Sequence, residues 1–180
     1  LSVIDAPLSI EVTKTNESDE EMIAEAREYS SWNPKNIVIK IPMFGNGRGL
    51  VLASKLHKER IKTNVTCLIT TNQVVLAALS GATYASIFFC RVRDAGGDPV
   101  KVIQDSKRII KESGLYTKII VGSIRRPEDV AEAAATIICQ PRHFGAIYEL
   151  SSDETLSQNE LVQLISRIRQ KEVRFEEISR

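Results

Sequence analysis

A lysine inside an apolar strand is the first place in this sequence where chemistry is possible. Lys40 lies in NIVIKIP, residues 36–42, among Ile37, Val38, Ile39 and Ile41. Apolar walls disfavour an ammonium and favour the neutral amine, which attacks a carbonyl to form a Schiff base. The resulting iminium is an electron sink that stabilises carbanion character at the adjacent carbon. Glu11 in LSIEV and Thr66 in TNVTCL are placed to hold a water for proton transfer as that iminium forms and hydrolyses. The alternative is plain: a lysine that guards a strand edge against unwanted pairing.

Strand side chains alternate faces with period two, so each polar residue can be assigned to a face. Ser9 and Glu11 share one, and Asn64 and Thr66 share another against Val65 and Cys67. Tyr84, Ser86 and Phe88 oppose Ala85, Ile87 and Phe89. Lys40 is in phase with Val38, and Ser123 with Arg125. Polar residues thus fall on one parity of several strands, near their C-terminal ends. In an open sheet they meet helix undersides; in a closed barrel they converge on the mouth where TIM-barrel active sites lie. Arg91, Ser123 and Arg125 add guanidinium groups and a hydroxyl suited to a phosphate. The Gly45–Gly49 loop, GNGRG, lacks phosphate-loop spacing and reads as a turn.

The elements that must position these groups alternate along the chain. Strand-like runs are LSIEV (8–12), IVIKI (37–41), TNVTCL (63–68), YASIFF (84–89), KIIVGS (118–123) and TIIC (136–139). Between them, Ser18–Glu21 forms a capping box before a helix to about Tyr29, and a second helix runs from about Gly49 to Glu59. A Thr or Asn caps a short helix that ends at Gly81. YASIFF is followed by a loop, and Asp98-Pro99 then opens a helix to Gly114. Pro127 precedes an Ala-rich helix over 128–134, and residues 157–171 have helical periodicity. Strands apolar on both faces, alternating with helices, predict a parallel sheet covered by helices. A doubly wound sheet and a TIM barrel both fit that alternation, and the parities favour the barrel.

Composition narrows the partners. The 180 residues carry 24 Lys plus Arg against 23 Asp plus Glu, so no bulk field attracts nucleic acid or an anionic membrane. No apolar run reaches transmembrane length. Cys67, Cys90 and Cys139 read as reduced core thiols of a cytoplasmic protein. His57 and His143 lack metal-ligand spacing, so no metal and no other cofactor is expected.

NIVIKIPM, IKTNVT, GATYASIFFCRV and IIVGSIRRPEDV, in this order from about Pro7 to Cys139, resemble the transaldolase family and specifically its short-chain branch, which includes fructose-6-phosphate aldolases. The resemblance implies a (β/α)8 barrel, with about six of the eight units visible and residues 1–180 forming a single domain that lacks its first one or two strands. It implies a transferase that carries a dihydroxyacetone unit between sugar phosphates on a lysine Schiff base in the pentose phosphate pathway. Lys40 resembles the Schiff-base lysine, Glu11 and Thr66 the holders of the catalytic water, and Asn64 the substrate-contacting asparagine. Ser86 and Phe88 resemble pocket walls, and Arg91, Ser123 and Arg125 a phosphate grip. Family relatives further imply a homo-oligomer. Glu11 and Phe88 resemble the transaldolase pair, where the aldolase branch tends to carry Gln and Tyr.

Two family features are not matched. Relatives begin with a strand bearing an acid/base aspartate and then a TTNP-like motif, whereas Asp5 in SVIDAP abuts the LSIEV strand and reads as loop. Ile87 and Cys90 stand where the family favours Pro and Gly, and Phe44-Gly45 where Thr is usual. Past Cys139 the family pattern is no longer recognisable. A free aldolase and a non-catalytic sugar-phosphate-binding subunit therefore remain alternatives.

Overall fold

A computed structural model describes residues 6–125 and 128–131, together with 160, 162, 163, 166, 167, 170 and 172. Five strands form one parallel sheet: β1 (Leu8–Glu11), β2 (Ile37–Pro42), β3 (Thr63–Leu68), β4 (Tyr84–Phe88) and β5 (Lys118–Gly122). The helices between them are α1 (Asp19–Trp32), α2 (Arg48–Lys58), α3 (Thr71–Leu79), α4 (Phe89–Asp94) and α5 (Pro99–Glu112). The sixth strand-like run at 136–139, Asp5, Pro127, Cys139 and His143 lie outside the described residues. Within the tail, Glu160, Val162, Gln163, Ser166 and Arg167 are helical.

Strand order decides between the two architectures. The strands are adjacent in sequence order, β1-β2-β3-β4-β5, with no reversal. Right-handed crossovers in an unreversed sheet put every helix on one face, whereas a doubly wound sheet needs a switch in direction. The sheet also curves. Asn64 Nδ2 on β3 donates to Ser9 Oγ on β1 at 3.2 Å, reaching past β2. Two strand spacings of roughly 4.8 Å each separate those strands in a flat sheet, too far for such short side chains. Contact between alternate strands is the layered filling of a (β/α)8 barrel, and these five strands form part of one.

Each face has its own core. On the helix-covered face, Ile37, Ile39 and Ile41 pack with Met22, Ala26, Leu52 and Leu56 from α1 and α2. Val65, Leu68, Ala85, Ile87, Ile119 and Val121 pack with Val74, Ala77, Ile103 and Ile110 from α3 and α5. The opposite face has a smaller cluster of Val38, Tyr84 and Ile120. The helices start where their caps predict. Ser18 and Glu21 form the capping box of α1, Thr70 and Gln73 that of α3, and Asp98 accepts from the Lys101 N–H with Pro99 at the first turn of α5.

The expected loop after YASIFF is instead helical. The strand stops at Phe88, and Phe89–Asp94 makes the short helix α4. Six residues are too few for an apolar period to show in a sequence, and Phe89 and Val92 are both buried beneath it.

Glu25 ties α1 to the segment that follows β1. Its carboxylate accepts from the Thr13 N–H at 2.9 Å, the Lys14 N–H at 3.1 Å, the Thr13 hydroxyl and the Tyr29 hydroxyl. Burial pushes the Glu25 carboxyl up, but the donors from Thr13, Lys14 and Tyr29 outweigh it and hold the group below the usual carboxylate range. A carboxyl lowered in the folded state contributes stability above its unfolded value, and that stability is lost as pH falls through the folded value. Glu25→Gln places an amide among these donors and should cost about 1–3 kcal/mol near neutral pH. Thermal melts of the two proteins should converge as pH is lowered below about 4. An equal gap at all pH values would refute this account of the clamp.

Candidate active site

Lys40 is on an interior strand, not an edge. β2 is hydrogen-bonded to β1 on one side and β3 on the other, with Lys40 opposite Glu11 and opposite Asn64. The gatekeeper reading therefore loses its premise. Lys40 Nζ lies 3.2 Å from Glu11 Oε2, and the side chains are 31% and 46% exposed. This corrects the expectation of a lysine walled in by apolar groups. Its apolar neighbours Ile39 and Ile41 point to the helix side, while the amine points to the other face beside a carboxylate. A paired, partly hydrated ammonium is how the strand accommodates the charge.

Asn64, next to Lys40, is 1% exposed and held from both ends. Ser86 Oγ donates to its Oδ1 at 2.8 Å, and its Nδ2 donates to Ser9 Oγ. The amide is thereby fixed in orientation by β1 and β4. Ser9 was visible as a residue in phase with Glu11, but its bond to Asn64 needs the sheet's curvature and has no local signature. Phe88, half-buried, closes β4 at the same end and caps α4.

Thr66 and Cys67 depart from simple alternation. The pairing of β3 with β4 runs Asn64–Tyr84 and Val65–Ala85 but then Leu68–Ile87, so one extra residue is inserted in β3. Cys67 has φ +65° and is exposed, not a core thiol; Cys90, by contrast, is buried. The bulge explains the reversal, because it lets Val65 and Leu68 both face the helices and turns Cys67 out at the strand's C-terminal end. Thr66 is fully buried, and its Oγ1 lies beside the Cys67 sulfur without meeting hydrogen-bond geometry. No hydrogen bond links Thr66 to Lys40 or Glu11. Its hydroxyl is closed off from solvent and makes no hydrogen bond among the described residues.

Partial burial pushes the Cys67 thiol up, as does the Glu11 carboxylate, while Lys40 and Arg91 oppose them. These groups therefore share one electrostatic neighbourhood. Iodoacetamide should label Cys67 and spare Cys90 in the folded protein, and labelling should accelerate only at a higher pH than for a free cysteine, since the thiol is pushed up. Peptide mapping that finds Cys90 labelled first would contradict the bulge geometry.

The three residues of the expected phosphate grip lie at the same end of the barrel wall. Arg91 is exposed on α4 and makes no ion pair among the described residues. Ser123 follows β5 with φ +57°, and its carbonyl accepts from the Cys90 N–H at 3.3 Å, which joins α4 to this loop. Arg125 pairs with Asp94 at 2.9 Å. Phe44, Cys67 and Ser123 are all non-glycine residues with positive φ, and each ends or follows a strand at this rim. Two further described non-glycine residues have positive φ away from these strand ends, Arg60 between α2 and β3 and Gln170 in the tail.

The GNGRG loop has a structural task. Arg48 pairs with Asp19, and its guanidinium also donates to the Thr15 and Glu17 carbonyls, tying α2 to the β1–α1 loop. Gly49 is obligatory there, because a Cβ would fall 2.0 Å from the Pro42 carbonyl oxygen. Among the described residues no group of His, Cys, Asp and Glu could hold a metal ion, and no helix is long and apolar enough to cross a membrane.

A family model described as transaldolase/fructose-6-phosphate aldolase matches residues 1–176, which extends past Cys139. A probable transaldolase of Moorella thermoacetica is 45% identical over 133 residues, which are 74% of this chain and 60% of that protein. One of Thermoanaerobacter sp. is 45% identical over 132 residues, 73% of this chain and 59% of its own length. One of Lactiplantibacillus plantarum is 43% identical over 132 residues, 73% and 58% respectively. The chain thus matches about three-fifths of each of these relatives.

Proposed function

Because this chain belongs to the transaldolase/fructose-6-phosphate aldolase family, we propose that it performs transaldolase chemistry, with Lys40 carrying a three-carbon ketol unit between sugar phosphates. The observation that carries this reading is the interior-strand Lys40, set between Glu11 and the fixed amide of Asn64. The ammonium loses its proton, with Glu11 as the nearest acceptor, and Nζ attacks the donor's C2 carbonyl. The carbinolamine then loses water to give the iminium. Glu11 returns its proton to the departing carbinolamine hydroxyl and then takes the proton of the C4 hydroxyl, so that cleavage of the C3–C4 bond sends its electron pair into the iminium and releases an aldehyde, leaving an enamine on Lys40. An acceptor aldehyde takes the enamine carbon, and water hydrolyses the new iminium. Glu11 and Thr66 handle the proton and the water; Asn64 and Ser86 hold donor hydroxyls; Phe88 walls the pocket; Arg91, Ser123 and Arg125 take the phosphate.

Phe88 favours transfer over release of free dihydroxyacetone, since it offers no hydroxyl to help a water quench the enamine. We further assign the protein to the pentose phosphate pathway, to the cytoplasm and to a homo-oligomer, on the strength of the family. Borohydride reduction of the intact protein with fructose 6-phosphate should leave a covalent mass on the Lys40 peptide. A folded protein that gains no such mass has a different function. Product analysis without an acceptor aldehyde separates transfer from free aldol cleavage.

A further inference from the structure

α4 presents its charges in two different ways. Arg93 pairs with Asp129, which is 2% exposed and also accepts from Cys90 Sγ at 3.3 Å, so Arg93 is fixed in the protein. Asp94, in contrast, is 53% exposed and holds Arg125, itself 40% exposed, at 2.9 Å. Asp94 also lies three residues after Arg91, on the same side of the helix. A carboxylate therefore stands in the same rim as both guanidinium groups of the phosphate grip.

We propose that Asp94 is a competitor built into that grip: it holds Arg125 until a substrate phosphate takes the guanidinium over. The inference rests on reading Arg91, Ser123 and Arg125 as the phosphate site. An exposed carboxylate pair is weak and exchangeable, whereas a phosphate monoester brings close to two negative charges and three acceptor oxygens to the same fork. Asp94 lowers phosphate affinity twice, by occupying Arg125 and by repelling the incoming dianion. Its effect scales with ligand charge, so it acts on phosphorylated sugars and leaves uncharged ketoses such as dihydroxyacetone unaffected. A moderated grip also releases phosphorylated product sooner.

The test is calorimetric titration of the intact protein with inorganic phosphate at fixed pH and ionic strength. Asp94→Asn should tighten binding about fivefold, the scale of one exposed charge pair. Asp94→Glu, which keeps the competing charge, should behave as the wild type, and thermal melts of both variants verify that they fold. In an Arg125→Gln background the gain from Asp94→Asn should shrink to the part that comes from repulsion of the dianion alone. Unchanged or weaker binding in Asp94→Asn, or the same gain without Arg125, overturns the exchange. The underlying reading fails separately: if Arg91→Gln and Arg125→Gln both bind phosphate as the wild type does, or the wild type binds none, the grip itself is wrong.

Discussion

Lys40→Met should abolish the borohydride-trapped adduct and lower transfer by on the order of 10⁴-fold or more, since Lys40 supplies the amine that forms the iminium. The substitution leaves Glu11 without its cation, but that carboxylate is 46% exposed, so water replaces the lost partner. The cost of an exposed pair is below about 1 kcal/mol, which keeps the variant folded. Lys40→Arg sharpens the result. It preserves the positive charge beside Glu11 while removing the nucleophile, because a guanidinium does not deprotonate in the working range. Both variants should therefore melt close to the wild type and show no adduct. Residual trapping in Lys40→Arg would place the reactive amine elsewhere.

Glu11→Gln should have the second-largest effect, slowing both iminium formation and transfer by about 10²–10⁴-fold. The amide keeps the shape and one acceptor but takes up no proton from Lys40. The adduct should still form, only slowly, and its formation rate should recover partly as pH rises and solvent removes the ammonium proton instead. That pH-dependent rescue distinguishes a proton acceptor from a residue that merely holds Lys40 in place. A Glu11→Gln variant trapped at the wild-type rate would remove Glu11 from the mechanism.

Much of this site could be read from residue order. Regular alternation put Ser9, Glu11, Lys40, Asn64, Tyr84 and Ser86 on one face, and the register of β1 with β2 and of β2 with β3 sets Glu11, Lys40 and Asn64 side by side. Cap residues marked the starts of α1, α3 and α5 because the cap bonds are local. The failures were equally physical. Cys67 looked like a core thiol because period two assumes an unbroken ladder, and the bulge in β3 carries no glycine to announce it. α4 was too short to show a period. The pairs Asp94–Arg125 and Arg93–Asp129 join segments more than thirty residues apart, so nothing local in the chain records them.

The left-handed residues at the strand ends impose a tension between robustness and turnover. Each of Phe44, Cys67 and Ser123 would relax if replaced by glycine, so selection for heat resistance would meet these positions early. At Cys67 and Ser123 the replacement also deletes the thiol and the hydroxyl, and at all three it slackens the lip beside the neighbouring lysine. A hardier descendant of this protein is then expected to be a slower one.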